Sequence, residues 1–331
     1  ASDKYISTEE YNHKCRENVM KFTAEWQQLT EEMGYFVDME HPYITYDNKY
    51  IETLWWLLKQ LYNKGLLYKG YTIQPYSPGA GTGLSSHELN QPGCYRDVKD
   101  TTVTAQFAIP TEDWKALAEK ANLPKQTWGK PCFVAWTTTP WTLPSNVALC
   151  VGPKIEYVIV ETYNPYDAEK LTLVMAASRV AAYLKSEGEI TDGGELPEYD
   201  RGDKYVPYRI VGRVMGTELE GLHYQQLMPW VKPVEQTGDF APKFVNDYAA
   251  AHPEKVFASE DGRDKFVEME SEAFRIILGD YVTTDDGTGI VHIAPTFGAD
   301  DAKVAKDANI PALYLISKKG QTRPMVDLQG K

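Results

Sequence analysis

Four threonines and an asparagine stand within ten residues: Thr137, Thr138, Thr139, Thr142 and Asn146, in the run Trp136-Thr-Thr-Thr-Pro-Trp-Thr-Leu-Pro-Ser-Asn146. Pro140 and Pro144 withhold backbone donors and block a regular helix start. The segment presents several hydroxyls and free backbone groups together, which suits a small polar ligand that needs hydrogen bonds from several directions. The alternative is a polar turn in which a threonine caps the next element. A second run, Gly287-Thr-Gly-Ile-Val-His292-Ile-Ala-Pro-Thr-Phe-Gly298-Ala-Asp300-Asp301, joins a glycine turn, a short apolar strand and two aspartates at a helix start. If the strand end sets His292 and Asp301 on one pocket wall, the carboxylate can receive an ammonium group through charge-assisted hydrogen bonds. In the alternative, His292 is a satisfied core histidine, Ala299 or Asp300 caps the helix, and Asp301 favours its positive end.

Other chemistries find little support. Gly79-Ala-Gly-Thr-Gly83 mimics a phosphate loop, but no G-K-[ST] follows and no strand–loop–helix frames it, so it reads as a flexible turn. There is no H-E-x-x-H, no G-x-S-x-G and no Cys/His pairing that argues for a covalent nucleophile. Cys15, Cys94, Cys132 and Cys150 are far apart and form no C-x-x-C pair, which argues against a zinc knuckle or a disulfide scaffold and fits reduced thiols in a cytoplasmic protein.

The elements that must position these residues follow from periodicity. Val19, Phe22, Trp26, Leu29 and Met33 recur at helical spacing and predict a helix from Tyr11 to Gly34. Tyr50, Leu54, Leu57, Leu58 and Leu61 predict a second from Asn48 to Lys64, ended by Gly65, with Trp55 and Trp56 read as core. From Tyr71 the texture changes to short apolar runs. Strands are expected at Thr101–Ile109, Cys132–Thr137, Tyr157–Glu161, Thr172–Met175, Tyr208–Val214 and Ile290–Ile293. Helices are expected at Trp114–Ala121, Ala177–Ser186 and Ala299–Asp307, and an exposed loop over 187–205. The pattern is a helical piece joined to a β-rich mixed domain.

The 331 residues, 43% hydrophobic, are enough for one large or two ordinary globular domains. No stretch approaches the roughly 20 apolar residues of a membrane helix, and Ala1–Glu10 does not read as a signal peptide. The net charge of −13 counts against nucleic-acid binding. The objection weakens for a domain that grips only the end of an RNA held elsewhere.

Both motif runs, in this order, resemble the editing insertion of the isoleucyl-tRNA synthetases. Trp136–Asn146 is similar to the insertion's threonine-rich peptide, and Gly287–Asp301 to its second motif. Phe22-Thr-Ala-Glu-Trp26, Trp55-Trp56 and Lys64-Gly-Leu-Leu-Tyr-Lys-Gly70 resemble the stretch that precedes the insertion. Pro75-Tyr-Ser77 and Gly83-Leu-Ser-Ser-His-Glu88 resemble the eukaryote-like branch, which some bacteria carry. Valyl and leucyl relatives usually have arginine where Thr139 stands, which favours the isoleucyl group. Phe297 occupies a place where many bacterial members have a second histidine. The ATP-handling motifs H-I-G-H and K-M-S-K-S are absent; His41-Pro-Tyr-Ile44 and Ser317-Lys-Lys319 do not match them. The expectation is an excised fragment that cannot activate an amino acid unaided and ends before the insertion is complete.

The resemblance implies an α/β mixed fold: a β-rich editing domain with a β-barrel-like core and surrounding helices at 105–331, a connecting segment at 73–104, and a helical piece of the catalytic Rossmann domain at 1–72. It implies hydrolysis of valine misattached to the isoleucine tRNA, or of valyl-adenylate. The alternatives are a fragment that only binds the tRNA 3′ end or an amino acid, and the editing domain of a valyl or leucyl enzyme. Asp301 is expected to bind the α-ammonium, His292 to exclude isoleucine, and Thr137, Thr138 and Thr139 to orient the attacking water. Trp136, Thr142, Asn146, Gly298 and Asp300 are expected to contact substrate. Editing is expected to need no metal or cofactor, ATP and Mg2+ serving only the full-length synthetase. The partner is the 3′ end of tRNA(Ile), and a cytoplasmic monomer without membrane contact is expected.

Overall fold

The structure is a computed structural model that describes residues 6–67, 73–124, 128–191 and 194–327. The chain divides into two compact units, Ala1–Leu67 and Tyr68–Lys331.

The first unit holds three helices, Thr8–Met20, Thr23–Glu32 and Asn48–Asn63. The single helix expected over Tyr11–Gly34 is two, broken at Lys21 and Phe22, where the Thr23 hydroxyl donates to the Met20 carbonyl (3.0 Å) and offers the backbone a local alternative to the helical ladder. Gly34 and Gly65 end their helices at φ +75° and +68°, the left-handed region that glycine enters without steric cost. No residue of these helices is buried. This corrects the reading of Trp55 and Trp56 as core: they are 70% and 59% exposed. Their helix carries an apolar face, but nothing described in this unit covers it. Tyr68–Gly70, part of the similarity noted above, lie outside the described residues, as do Ala1–Tyr5.

The second unit carries the core. Its main sheet runs in the order Val103–Ala108, Lys130–Thr137, Lys170–Ala176, Glu156–Tyr163, Tyr208–Met215. Only the Lys130–Thr137 and Lys170–Ala176 pairing is parallel. Phe107, Phe133, Tyr157, Ile159 and Val174 pack on one face with Trp114 and Leu117 of the helix Thr111–Lys120. A smaller sheet places Ala148–Val151 between Arg275–Leu278, parallel, and Ile290–Ile293, antiparallel. All four residues of Ala148–Val151 are buried, so the strand lacks the alternation that marks a half-exposed one. It escaped the sequence reading for that reason; Arg275–Leu278, in which only Ile276 and Ile277 are buried, was missed as well. A third sheet orders Val256–Ala258, Lys265–Glu268 and Val234–Gln236, with the helix Lys243–Ala251 nearby in the chain.

The six expected strands are present, each within two residues of its predicted bounds. The α/β mixed class holds, but among the described residues no sheet closes on itself, so the barrel-like core becomes separate sheets. The helix expected over Ala177–Ser186 shrinks to a 3-10 turn, Ala177–Arg179, and one α turn, Val180–Tyr183. The segment 187–205 is irregular apart from the end of a short 3-10 turn, with Asp192 and Gly193 outside the described residues. Gly79–Gly83 closes a small hairpin between Tyr76–Ser77 and Thr82–Gly83.

Candidate functional site

The threonine-rich run begins where an interior strand ends. Cys132–Ala135 are buried within Lys130–Thr137, and the chain leaves the sheet at Thr137 to form the 3-10 helix Pro140–Ser145. The hydroxyls form a chain. The Thr139 amide donates to Thr137 Oγ1 (3.1 Å), Thr137 and Thr139 Oγ1 lie 3.3 Å apart, and Thr139 and Thr142 Oγ1 lie 3.4 Å apart. Thr142 Oγ1 donates to the Thr139 carbonyl (2.8 Å).

This chain ends on the second motif. The strand Ile290–Ile293 sets His292 opposite Leu149, and His292 Nε2 lies 3.1 Å from Thr142 Oγ1. Since the one Thr142 proton goes to Thr139, His292 Nε2–H is the donor in this contact. Nδ1 then carries the lone pair; it is buried and has no hydrogen-bond partner among the described residues. Burial pushes the imidazole down to about 4, so His292 is neutral at neutral pH. The expected alternatives combine: His292 is a core residue with one nitrogen bonded and one not.

Asp301 lies in the first turn of the helix Ala299–Asp307. Gly298, not Ala299 or Asp300, is the N-cap residue, and no side chain caps the helix. Asp301 turns back instead: its Oδ2 accepts from the Ala294 amide (2.9 Å). Burial, joined by the like charge of Asp300, raises its carboxyl above the ordinary value against the lowering effect of that bond. A Cβ on Gly298 would lie 2.7 Å from Asp301 Cγ, so a larger residue there would push the carboxylate aside.

A cleft of about 350 Å3 brings part of the predicted set together: Trp136, Thr137, Thr138, His292 and Asp301 line it, with Gly287 to Val291 between. The other predicted residues stand elsewhere. Thr139 is exposed beside the cleft, and Thr142 is buried beneath it, holding His292. Asn146 is buried and committed on both ends, donating to the Ala148 carbonyl (2.9 Å) and accepting from the Tyr224 hydroxyl (2.6 Å); it braces the scaffold. Asp300 lines a separate groove with Arg275 and Lys303. Sequence reasoning missed Tyr281, Thr283 and Asp286, which also line the cleft. The Gly287 and Gly289 turn was their only local signal. Burial pushes the Cys150 thiol up to about 11, so a thiolate nucleophile beside the cleft is disfavoured. The arrangement thus offers hydroxyls, backbone groups and two carboxylates, Asp286 and Asp301, around a space for a small cationic group.

A family model for class I tRNA synthetases (I, L, M and V) matches residues 2–247. The chain belongs to this family. The match includes the threonine-rich run and ends before Gly287. The isoleucine–tRNA ligase of Bacteroides thetaiotaomicron is 58% identical over 328 residues, 99% of this chain and 25% of that protein. The ligases of Porphyromonas gingivalis and Cytophaga hutchinsonii are 54% and 47% identical, again over 99% of this chain and 25% of theirs. The chain therefore spans about a quarter of the length of the curated relatives it matches. Among solved structures, it is similar to the editing domain of the P. knowlesi cytosolic leucyl-tRNA synthetase, with TM-score 0.38, 15% identity, and 63% of each chain covered. The P. falciparum counterpart gives TM-score 0.36 and 10% identity, covering 62% of this chain and 65% of that one.

Proposed function

We propose that this synthetase region proofreads: it hydrolyses the ester of valine misattached to the 3′ end of the isoleucine tRNA. The observation that carries this reading is the cleft that the end of the threonine-rich strand, His292 and Asp301 line together, with His292 held by Thr142. The isoleucyl enzyme is itself the standard example of the need: one methylene in an apolar pocket is worth only about 1–3 kcal/mol, so a second, smaller site is required.

Asp301 holds the α-ammonium of the misattached amino acid, a charge-assisted contact that also suits its place at a helix N-terminus in the free state. His292, fixed from behind by Thr142, is the rigid wall that refuses the larger isoleucine side chain. Thr137 and Thr138 hydroxyls and nearby backbone groups hold the attacking water against the ester carbonyl, with a terminal ribose hydroxyl assisting. Burial pushes His292 down to about 4, which makes it a weak base, and its free nitrogen is buried, so positioning rather than general-base strength carries the rate. Residues 1–72 belong with the nucleotide-binding body, 73–104 connect, and 105–331 edit. ATP and Mg2+ serve aminoacylation in the full-length enzyme.

The test is release of valine from valyl-tRNA(Ile) by this chain, beside isoleucyl-tRNA(Ile) and an Asp301→Ala variant. Wild type should release valine and spare isoleucine. Asp301→Ala should lose about a hundredfold or more of the valine rate, about 3 kcal/mol of transition-state binding, while its unfolding midpoint stays near wild type. Deacylation that persists in Asp301→Ala would remove the ammonium role and with it the reading.

A further inference from the structure

One arginine holds the far rim of the cleft without touching it. Arg179 ends the 3-10 turn that follows the strand Lys170–Ala176. Its Nε donates to the Gly287 carbonyl (2.8 Å), and its Nη1 to the carbonyls of Asp285 (3.1 Å) and Thr284 (3.5 Å). All three acceptors are backbone, and among the described residues no carboxylate pairs with this guanidinium. A fork of fixed donors has been spent on shaping one loop, a geometry that lysine cannot reproduce.

The neighbouring residues of the loop are fixed by other means. Thr288 Oγ1 donates to the Val134 carbonyl (2.6 Å) and the Thr288 carbonyl accepts from the Ala176 amide (2.9 Å), so Thr288 is stitched to two strands of the main sheet. Gly287, at φ +64°, passes so close to Trp136 that a Cβ would lie 3.0 Å from the ring, and a Cβ on Gly289 would lie 2.4 Å from the Ala176 Cβ. Among the described residues Thr284, Asp285 and Gly287 make no such hydrogen bond to the sheet, and Arg179 is the side chain that binds their carbonyls. Yet Thr283, Asp286 and Gly287 line the cleft together with Trp136, Thr137 and Thr138, Gly287 lying against the Trp136 ring. Where this loop stands therefore bounds the space open to a substrate side chain.

We propose that Arg179 is a positioning residue which, by tying the Thr284, Asp285 and Gly287 carbonyls to the end of the Lys170–Ala176 strand, sets where this loop bounds the cleft and hence the largest amino acid the site accepts. The inference rests on the hydrolytic reading above and names the size limit of that same site. Releasing the tie lets this rim yield enough to admit one more methylene.

The experiment compares wild type, Arg179→Ala and Arg179→Lys in two measurements: the ratio of isoleucine to valine release from tRNA(Ile), and amide hydrogen exchange of the 283–290 segment. Arg179→Ala should raise the isoleucine-to-valine ratio about tenfold, within the range one methylene commands, and speed exchange in 283–290 with the main sheet unchanged. Arg179→Lys, which keeps the charge but reaches fewer carbonyls, should show both changes at smaller size, and it carries the test if Arg179→Ala does not fold. Valine and isoleucine rates that fall in the same proportion would mark Arg179 as structural only and overturn the proposal, as would wild-type behaviour in both variants. If wild type releases neither amino acid, the hydrolytic reading fails on its own; exchange then judges the tie, and unchanged exchange in Arg179→Ala overturns it.

Discussion

The two units of this chain solve opposite problems with the same kind of residue. The helical unit places Trp26, Trp55 and Trp56 on its surface at 59–70% exposure, and none of its three helices buries a residue. The sheet-bearing unit encloses Phe107, Phe133 and Tyr157 completely. Amphipathic spacing is enough to define a helix, but most of a helix's stability comes from what covers its apolar face. The site residues accordingly stand where cover is complete: Thr142 and His292 join two strand systems whose interiors are closed, and the cleft opens at their margin.

The sharpest way to break this contrast is to cut aromatic side chains from both units. Phe133→Ala should cost about 3–5 kcal/mol in urea unfolding, the usual loss for a buried phenylalanine. Trp55→Ala and Trp56→Ala should each stay within about 0.5 kcal/mol, as exposed substitutions do. A tryptophan variant that costs as much as Phe133→Ala would show that the helical unit has a core after all.

A second difference should appear in acid. His13 and His41 of the helical unit are exposed, whereas His292 is buried and pushed down to about 4 from an ordinary 6.5. Between those values the unfolded chain takes up a proton that the folded chain refuses, so this group's contribution to stability falls as pH drops from about 6.5 towards 4. The full effect is on the order of 3 kcal/mol. The urea midpoint of wild type should fall relative to that of His292→Gln from pH 7 through 5.5 to 4; parallel curves would mean the imidazole is solvated. A smaller effect than the acid one belongs to the helical unit. Gly65 sits at φ +68° with open space around its Cα, so Gly65→Ala should cost only the conformational penalty, about 1 kcal/mol, read as a small loss of helical signal on heating.

Much of the site could be read from residue order, and the limits of that reading are specific. The run ending at Thr137 and the glycine turn before Ile290 marked strand ends carrying polar groups, and the structure brings Thr137, Thr138, His292 and Asp301 to one cleft. Asn146 and Asp300 have the same chemistry and the same proximity in sequence, yet one is buried on Tyr224 and the other faces a different groove. Local sequence cannot separate these outcomes, because a 3-10 turn and a helix start rotate successive side chains to different sides. Arg179 had no local signal, since its acceptors lie more than a hundred residues away.

What the sequence determined alone was local: where chains of apolar residues alternate or recur, where glycine and proline end them, and which segments carry hydroxyls and carboxylates. These are properties of backbone sterics and of short-range burial patterns. What only the tertiary structure decided was pairing. Ala148–Val151, uniformly apolar and so without a readable period, became the strand against which His292 is registered. The Thr142–His292 contact, the enclosure that keeps the imidazole neutral and the Arg179 tie each join residues distant in sequence, and the energy that selects such pairs comes from burying them together.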